Sequence, residues 1–192
     1  MSNRKLHFET IQIHGGYKVD ESLARGIAIH PTAAYHFSSC DYAANLFTLS
    51  EPGYIYTRLH NPTTAAYEER IAALYGGVGA LATSSGMSAI LLTITALAKA
   101  GDNIVASPYL YGGTHNQFVI SLRNLGVECR LAKSDSAEDI AALIDDNTRA
   151  VFAESMGNPT CRVIDIEALA EVAHKNNIPL IVDNTFGAGG YL

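Results

Sequence analysis

Positive charge is scarce in this chain. It carries 13 Lys and Arg against 19 Asp and Glu, a net charge of -6. With no run of Lys or Arg, there is no electrostatic footprint for nucleic acid. Cysteine is scarce too. Cys40, Cys129 and Cys161 are odd in number and far apart, which argues for reduced thiols in a cytosol rather than a disulfide framework. No apolar run is long enough to span a membrane. The opening residues Met1 to His7 contain no secretory apolar region, so the expectation is a cytoplasmic protein with no membrane partner. Repeats, low-complexity tracts and charged tails are missing. The seven histidines show no metal-ligand spacing and there is no H-E-x-x-H, so no metal is expected. There is no Walker A motif. The glycine clusters Gly76-Gly77-Val78-Gly79 and Gly187-Ala188-Gly189-Gly190 do not form the dinucleotide fingerprint. Ser85-Gly86 lacks the glycine two residues ahead of the serine that a nucleophile elbow needs.

What is present is a 192-residue chain, 48% hydrophobic and 17% charged, enough for one ordinary globular domain. Its focus is Ile178-Pro179-Leu180-Ile181-Val182-Asp183-Asn184-Thr185-Phe186. Three aliphatic residues run into a carboxylate, which reads as a strand buried on both faces and ending in Asp183. Burying a carboxylate is costly unless something pairs with it, and ligands of open α/β sheets sit beyond the carboxyl ends of strands. Asp183 either faces a cation there or caps a turn, since Asp-Asn-Thr is good turn chemistry.

Residues 1–60 have weak periodicity and several breakers, Gly15-Gly16, Pro31 and Pro52-Gly53 among them. They read as an irregular arm with short helical pieces, one around 41–47. So long an irregular stretch suits packing on another surface, such as a second subunit. Residues 61–192 alternate regularly. Asn61-Pro62 starts a helix with Tyr67, Ile71 and Leu74 on one face, stopped at Gly76-Gly77. Strands are expected at 80–84, 103–107, 127–132, 149–154 and 180–183. Helices are expected at 86–100, 114–125, from Ser136, and from Asp165 to about Asn176. Ser136 with Asp139 resembles a capping box with the shorter acid. This alternation is the pattern of βαβ units and a mainly parallel sheet, an α/β fold.

All strand-end loops of such a sheet open on one edge. Ser84-Ser85-Gly86-Met87 follows the first strand and opens a helix. It is either a phosphate cradle or simply a tight turn with an N-cap. Tyr111-Gly112-Gly113 follows the second, with an aromatic that can lie flat on a ring or fill a core. Glu154-Ser155-Met156-Gly157-Asn158-Pro159 follows the fourth and offers an amide, or plain turn chemistry. Asp183 follows the fifth. A phosphate site, a flat aromatic, an amide and a carboxylate together suit a small aromatic cation bearing a phosphate. Pyridoxal 5'-phosphate fits this set best, its ring nitrogen kept protonated by the carboxylate.

The chain also resembles the Cys/Met-metabolism family of pyridoxal-phosphate enzymes. The matching stretches are Tyr56-Thr57-Arg58-Leu59-His60-Asn61-Pro62-Thr63, Ser84-Ser85-Gly86-Met87, Leu110-Tyr111-Gly112-Gly113-Thr114, Gly157-Asn158-Pro159 and Val182-Asp183-Asn184-Thr185. Within the family the wording around Glu154 and Asp183, with Gly189-Gly190-Tyr191-Leu192, is similar to the O-acetylhomoserine sulfhydrylase branch. The resemblance implies the three-layer α/β/α fold of aspartate-aminotransferase-like enzymes, here incomplete. It implies a transferase of methionine biosynthesis and transsulfuration. Acetate would leave O-acetyl-L-homoserine and sulfide or a thiol would replace it, giving homocysteine or methionine.

The resemblance also implies roles. Ser85, Gly86 and Met87 bind the phosphate. Tyr111 stacks on the ring and helps move protons, and Asp183 pairs with the ring nitrogen. Asn158 touches the ring oxygen, Thr185 lines the site and Glu154 supports it. Tyr56 and Arg58 reach a neighbouring subunit's phosphate, which makes the unit a homodimer or homotetramer. Gly113 stands where methionine γ-lyases of the family carry cysteine, which argues against that activity. Cystathionine γ-synthase or γ-lyase activity remains the alternative within the family. The lysine that holds the cofactor as a Schiff base has no counterpart here: Lys5, Lys18, Lys99, Lys133 and Lys175 match no such context. The chain alone is therefore expected to be inactive, a truncated piece or a non-catalytic fragment.

Overall fold

The structure is a computed structural model that describes residues 6–19 and 21–187. Lys5 and the Gly189-to-Leu192 stretch lie outside the described residues. Contacts divide the chain into two units, one up to Ala82 and one from Thr83 onward. They group the helix after Asn61 with the segment before it, whereas composition drew a boundary at residue 60.

The first unit holds α1 (Phe8–His14), α2 (Cys40–Phe47) and α3 (Pro62–Tyr75). Asn61 caps α3 as its position before Pro62 predicts. Its Oδ1 accepts the Thr63 N–H at 2.9 Å, while its Nδ2 donates to the His30 carbonyl at 3.0 Å and to Thr57 Oγ1 at 3.1 Å. One buried amide thus starts the helix and ties two stretches of the arm to it. Gly76, with φ +63°, ends the helix in the left-handed conformation that glycine adopts freely.

The expected face of α3 differs from the observed one. Ala65 and Ala66 are buried, Ile71 and Leu74 are half-buried, and Tyr67 is exposed. The cause is close backbone approach. A Cβ on Gly16 would sit 2.2 Å from the Ala66 carbonyl oxygen, and Arg70 Nε donates to the Gly15 carbonyl at 2.7 Å. Small side chains are needed there, not large ones. Residues 80–84 form no strand. A strand needs a ladder partner, and none runs beside this segment among the described residues.

The second unit is a parallel sheet in the order β2-β1-β3-β4, with β1 Asn103–Ala106, β2 Glu128–Leu131, β3 Thr148–Glu154 and β4 Leu180–Asp183. Alternate strand residues feed two cores. Ile104, Ala106, Ala150 and Phe152 join Ile90, Ile94, Phe118 and Leu122 on one face. Val105, Val151 and Ala153 join Ile140, Leu169 and Ala173 on the other. Helices α4 (Gly86–Leu97) and α5 (Gly112–Asn116) cover the first face; α6 (Ala137–Ala141) and α7 (Ile166–Lys175) cover the second. The result is a three-layer α/β/α sandwich.

The helix expected at 114–125 begins earlier, at Gly112, and widens into a π-helical turn over Gln117–Leu122. Phe118 and Leu122 are fully buried there, Phe118 edge-on to Phe152 with centroids 4.9 Å apart. At α6 the Ser136 hydroxyl accepts the Asp139 N–H at 3.2 Å. The short Asp139 side chain takes the Ser134 hydroxyl at 2.7 Å, and Ser134 Oγ accepts the Ser136 N–H at 3.1 Å. The capping box therefore closes through a third residue, one that spans the missing methylene. Asp165 caps α7 through the Ala168 N–H at 3.0 Å. No helix among the described residues is long and apolar enough to cross a membrane.

Candidate active site

The register of β3 with β4 sets the chemistry. Glu154 and Asp183 are paired positions at the carboxyl ends of adjacent parallel strands. Strand side chains alternate between faces. Both carboxylates therefore lie on the face of Phe152 and Ile181, the one covered by α4 and α5. Asp183 is half-buried. Its Oδ1 accepts the Thr185 N–H at 3.0 Å and also takes the Thr185 hydroxyl, so turn chemistry and a ligand-facing carboxylate coexist in this residue.

Glu154 is buried, and its Oε1 accepts the Tyr111 N–H at 2.7 Å. Burial pushes the Glu154 carboxyl above its ordinary pKa and the Asp183 charge adds to that, while the N–H groups of Tyr111 and Asn158 pull the other way.

Around these carboxylates lies a cavity of about 330 Å³, within the range of small-molecule sites. Ser85, Gly86 and Met87 line it at the start of α4, and Tyr111 lines it at the start of α5. Glu154, Asn158, Asp183 and Thr185 line it from the strand ends. At the start of α4 the Ser85 hydroxyl accepts the Ser88 N–H at 3.1 Å. A Cβ on Gly86 would meet nothing within 4 Å, so the helix opens into free space with its dipole aimed outward.

Tyr111 lies over the first turn of α5, where a Cβ on Gly113 would come within 2.5 Å of Tyr111 Cε1. The loop bearing Asn158 is pinned from behind: Arg162 Nε donates to Asp135 at 2.6 Å and its guanidinium lies 5.5 Å above the Tyr109 ring. The Ser155 hydroxyl donates to Asn184 Oδ1 at 2.7 Å, joining that loop to the Asp183 turn.

Eight of the ten nominated site residues meet in this cavity. Tyr56 and Arg58 do not line it. They belong to the first unit, both exposed, with the guanidinium 5.3 Å from the Tyr56 ring centroid. The reading of residue types missed Ile90, Thr114, Met156 and Phe186, which complete the wall. Spacing offered a signal for three of them. Ile90 stands one turn after Met87 and Thr114 one turn after Tyr111, and Met156 lies between Glu154 and Asn158. Among the described residues no lysine lines the cavity. Among the described residues no cluster of His, Cys, Asp and Glu could hold a metal, and the three cysteines are free.

A parallel α/β sheet with a helix N-terminus, a flat aromatic and two carboxylates around one hollow at its strand ends defines a small-molecule site suited to a phosphorylated cation. The chain belongs to the Cys/Met metabolism PLP-dependent enzyme family, whose model matches residues 9–192. It is 53% identical over 187 residues to a homocysteine synthase of Schizosaccharomyces pombe, covering 97% of this chain and 44% of that protein. It is 51% identical over 189 residues to O-acetyl-L-homoserine sulfhydrylase 1 of Thermus thermophilus, covering 97% of this chain and 45% of that one.

A solved structure described as an O-acetylhomoserine (thiol)-lyase of Campylobacter jejuni superposes with a TM-score of 0.91 at 38% identity. The match covers 94% of this chain and 45% of that one, and that protein carries the cofactor as a pyridoxyl-lysine monophosphate. The fold is therefore that of these enzymes, and the chain spans less than half the length of the curated relatives it matches.

Proposed function

We propose that the whole enzyme replaces the acetyl group of O-acetyl-L-homoserine with sulfide or a thiol, giving homocysteine or methionine, and that it does so with pyridoxal 5'-phosphate. The observation that carries this reading is the convergence of Ser85, Gly86, Met87, Tyr111, Glu154, Asn158, Asp183 and Thr185 on one cavity in a chain of this family. When bound, the cofactor supplies an electron sink beside the substrate amino group.

The chain's own residues then have distinct tasks. The N–H groups of Gly86 and Met87, with the Ser85 hydroxyl, hold the phosphate at the positive end of α4. The Asp183 carboxylate, steadied by Thr185, holds the proton on the ring nitrogen. The Asn158 amide donates to the ring oxygen. Tyr111 covers the ring, and its hydroxyl moves a proton to or from the substrate. Glu154 acts through the Tyr111 backbone, fixing where that aromatic starts. None of these residues supplies the amine that would bind the cofactor covalently.

The same reading assigns the arm, residues 1–60, to a neighbouring subunit, with Tyr56 and Arg58 reaching that subunit's phosphate in a dimer or tetramer. Exposed apolar side chains on it support this: Phe47, Leu49 and Leu59 stand out into solvent, Leu49 to 87%. We place the enzyme in the cytoplasm, a reading supported by the three free thiols. The test is to supply the full-length enzyme with cofactor, sulfide and O-acetyl-L-homoserine. Homocysteine is the expected product, and none formed with cofactor bound overturns the reading.

A further inference from the structure

Gln117 opens the π-helical turn behind the cavity, does not line it, and has no part in the scheme above. Its side chain makes one hydrogen bond of consequence: Nε2 donates to the Met87 carbonyl at 3.1 Å. Its Oε1 is buried with no partner among the described residues, as is the hydroxyl of Thr114 one turn earlier. An acceptor left unpaired in a protein interior is unfavourable. A leucine would fill the same space without that penalty, so the amide is retained for what its donor does.

The donor meets the first turn of α4, whose Gly86 and Met87 line the cavity. The Met87 carbonyl belongs to the same peptide unit as the Ser88 N–H, which Ser85 Oγ accepts at 3.1 Å. A bond from Gln117 to that carbonyl therefore fixes and polarises the peptide that caps the helix. It also ties α4 to the helix that carries Tyr111. A π-turn inserts one extra residue per turn and re-aims the side chains on it, and such turns recur at functional sites.

We propose that Gln117 is a positioning residue for the anion end of the site: through Met87 it holds the N-terminal turn of α4 in the geometry that receives a phosphate. This rests on the assignment of that turn to the cofactor phosphate. The test compares two ligands that form no covalent link, pyridoxamine 5'-phosphate and pyridoxamine, by calorimetry on the full-length protein. The ratio of their affinities isolates the phosphate contribution and is internal to each variant. Gln117→Leu removes the donor. Gln117→Glu keeps the shape, replaces the donor with an acceptor, and stands in if the leucine variant fails to fold.

The phosphate preference is expected to fall about fivefold in Gln117→Leu, the worth of one ordinary hydrogen bond, and further in Gln117→Glu, with pyridoxamine itself bound as before. Equal weakening of both ligands, or an unchanged ratio, overturns the role given to Gln117. If the wild-type protein shows no preference for the phosphorylated ligand, the assignment of the α4 turn fails first.

Discussion

The two ends of the parallel sheet treat their polar groups in opposite ways. At the amino end the carboxylates are paired with cations and amides. Asn103 Nδ2 donates to Asp145 Oδ1 at 2.8 Å, the Thr148 hydroxyl donates to Asn103 Oδ1 at 2.8 Å, and Thr148 Oγ1 accepts the Asp145 N–H at 2.9 Å. Arg130 reaches the other Asp145 oxygen at 2.7 Å, and Arg149 meets Asp102 at 2.8 Å. At the carboxyl end two carboxylates sit side by side in register, and among the described residues neither forms an ion pair with Lys or Arg. Natural sequences satisfy buried polar groups wherever structure alone is at stake. The end that leaves two anions without a cation is the end shaped for a ligand.

Removing one group from each end tests the difference. Asp183→Ala is expected to lower the turnover of the full-length enzyme by a factor of about 100 to 1,000, the usual cost of deleting one charge-stabilising group. Its urea midpoint should stay close to wild type. Asn103→Ala should do the reverse. It takes from the buried Thr148 hydroxyl its acceptor at 2.8 Å and from Asp145 Oδ1 one of its donors, costing about 1–3 kcal/mol of stability, while ligand affinity at the cavity holds. A large stability loss in Asp183→Ala, or a loss of affinity in Asn103→Ala, would break the contrast.

A middle-sized effect is expected at Gly113. Alanine there places a Cβ against the Tyr111 ring, and overpacking of this kind costs about 1–3 kcal/mol unless the ring turns away. Tyrosine fluorescence and pyridoxamine 5'-phosphate affinity should both change, and an unaltered pair of values would show that the ring has room the geometry denies it.

The smallest effect, and the most telling in sign, is in pH. Hydrogen bonds from Asn103 and Arg130 hold the Asp145 carboxyl well below the usual carboxylate range. Its stabilising share is present above the unfolded-state pKa and lost as pH falls through the depressed value. Glu154 is shifted upward, so its share is present below the unfolded-state pKa, about 4.3, and lost as pH rises through the raised value. Urea titrations should therefore show Asp145→Asn flattening the acid limb of the stability curve. Glu154→Gln should gain on wild type as pH climbs from 4 toward neutrality. The same sign for both variants would refute the opposition of the two ends.

The second unit was more legible than the first because its signals were local. Ile90 and Ile94, Leu169 and Ala173 repeat at helical spacing and are buried as that spacing requires. Tyr111, Asn158 and Asp183 can be nominated because a parallel sheet sends its strand-end loops to one edge, Ser85, Gly86 and Met87 because their turn opens a helix, and Glu154 and Thr185 only through the family resemblance. The apolar walls, Ile90, Met156 and Phe186, carry no chemical mark and emerged only once neighbours along the chain were placed. In the first unit the decisive contacts are between distant stretches, such as Asn61 with His30 and Gly16 with Ala66. Periodicity cannot report an approach of that kind, so Tyr67 was assigned to a face that alanines occupy. The strand expected at 80–84 had the right residues and lacked a partner.

Strand side chains change face at every residue. One residue inserted between Leu180 and Val182, with the Leu180 pairing kept, would send the aspartate to the far side of the sheet, among Val151 and Ala153, and leave Glu154 alone at the mouth. The helices and loops around this hollow can drift over evolutionary time, but the count of residues along that short strand cannot change by one.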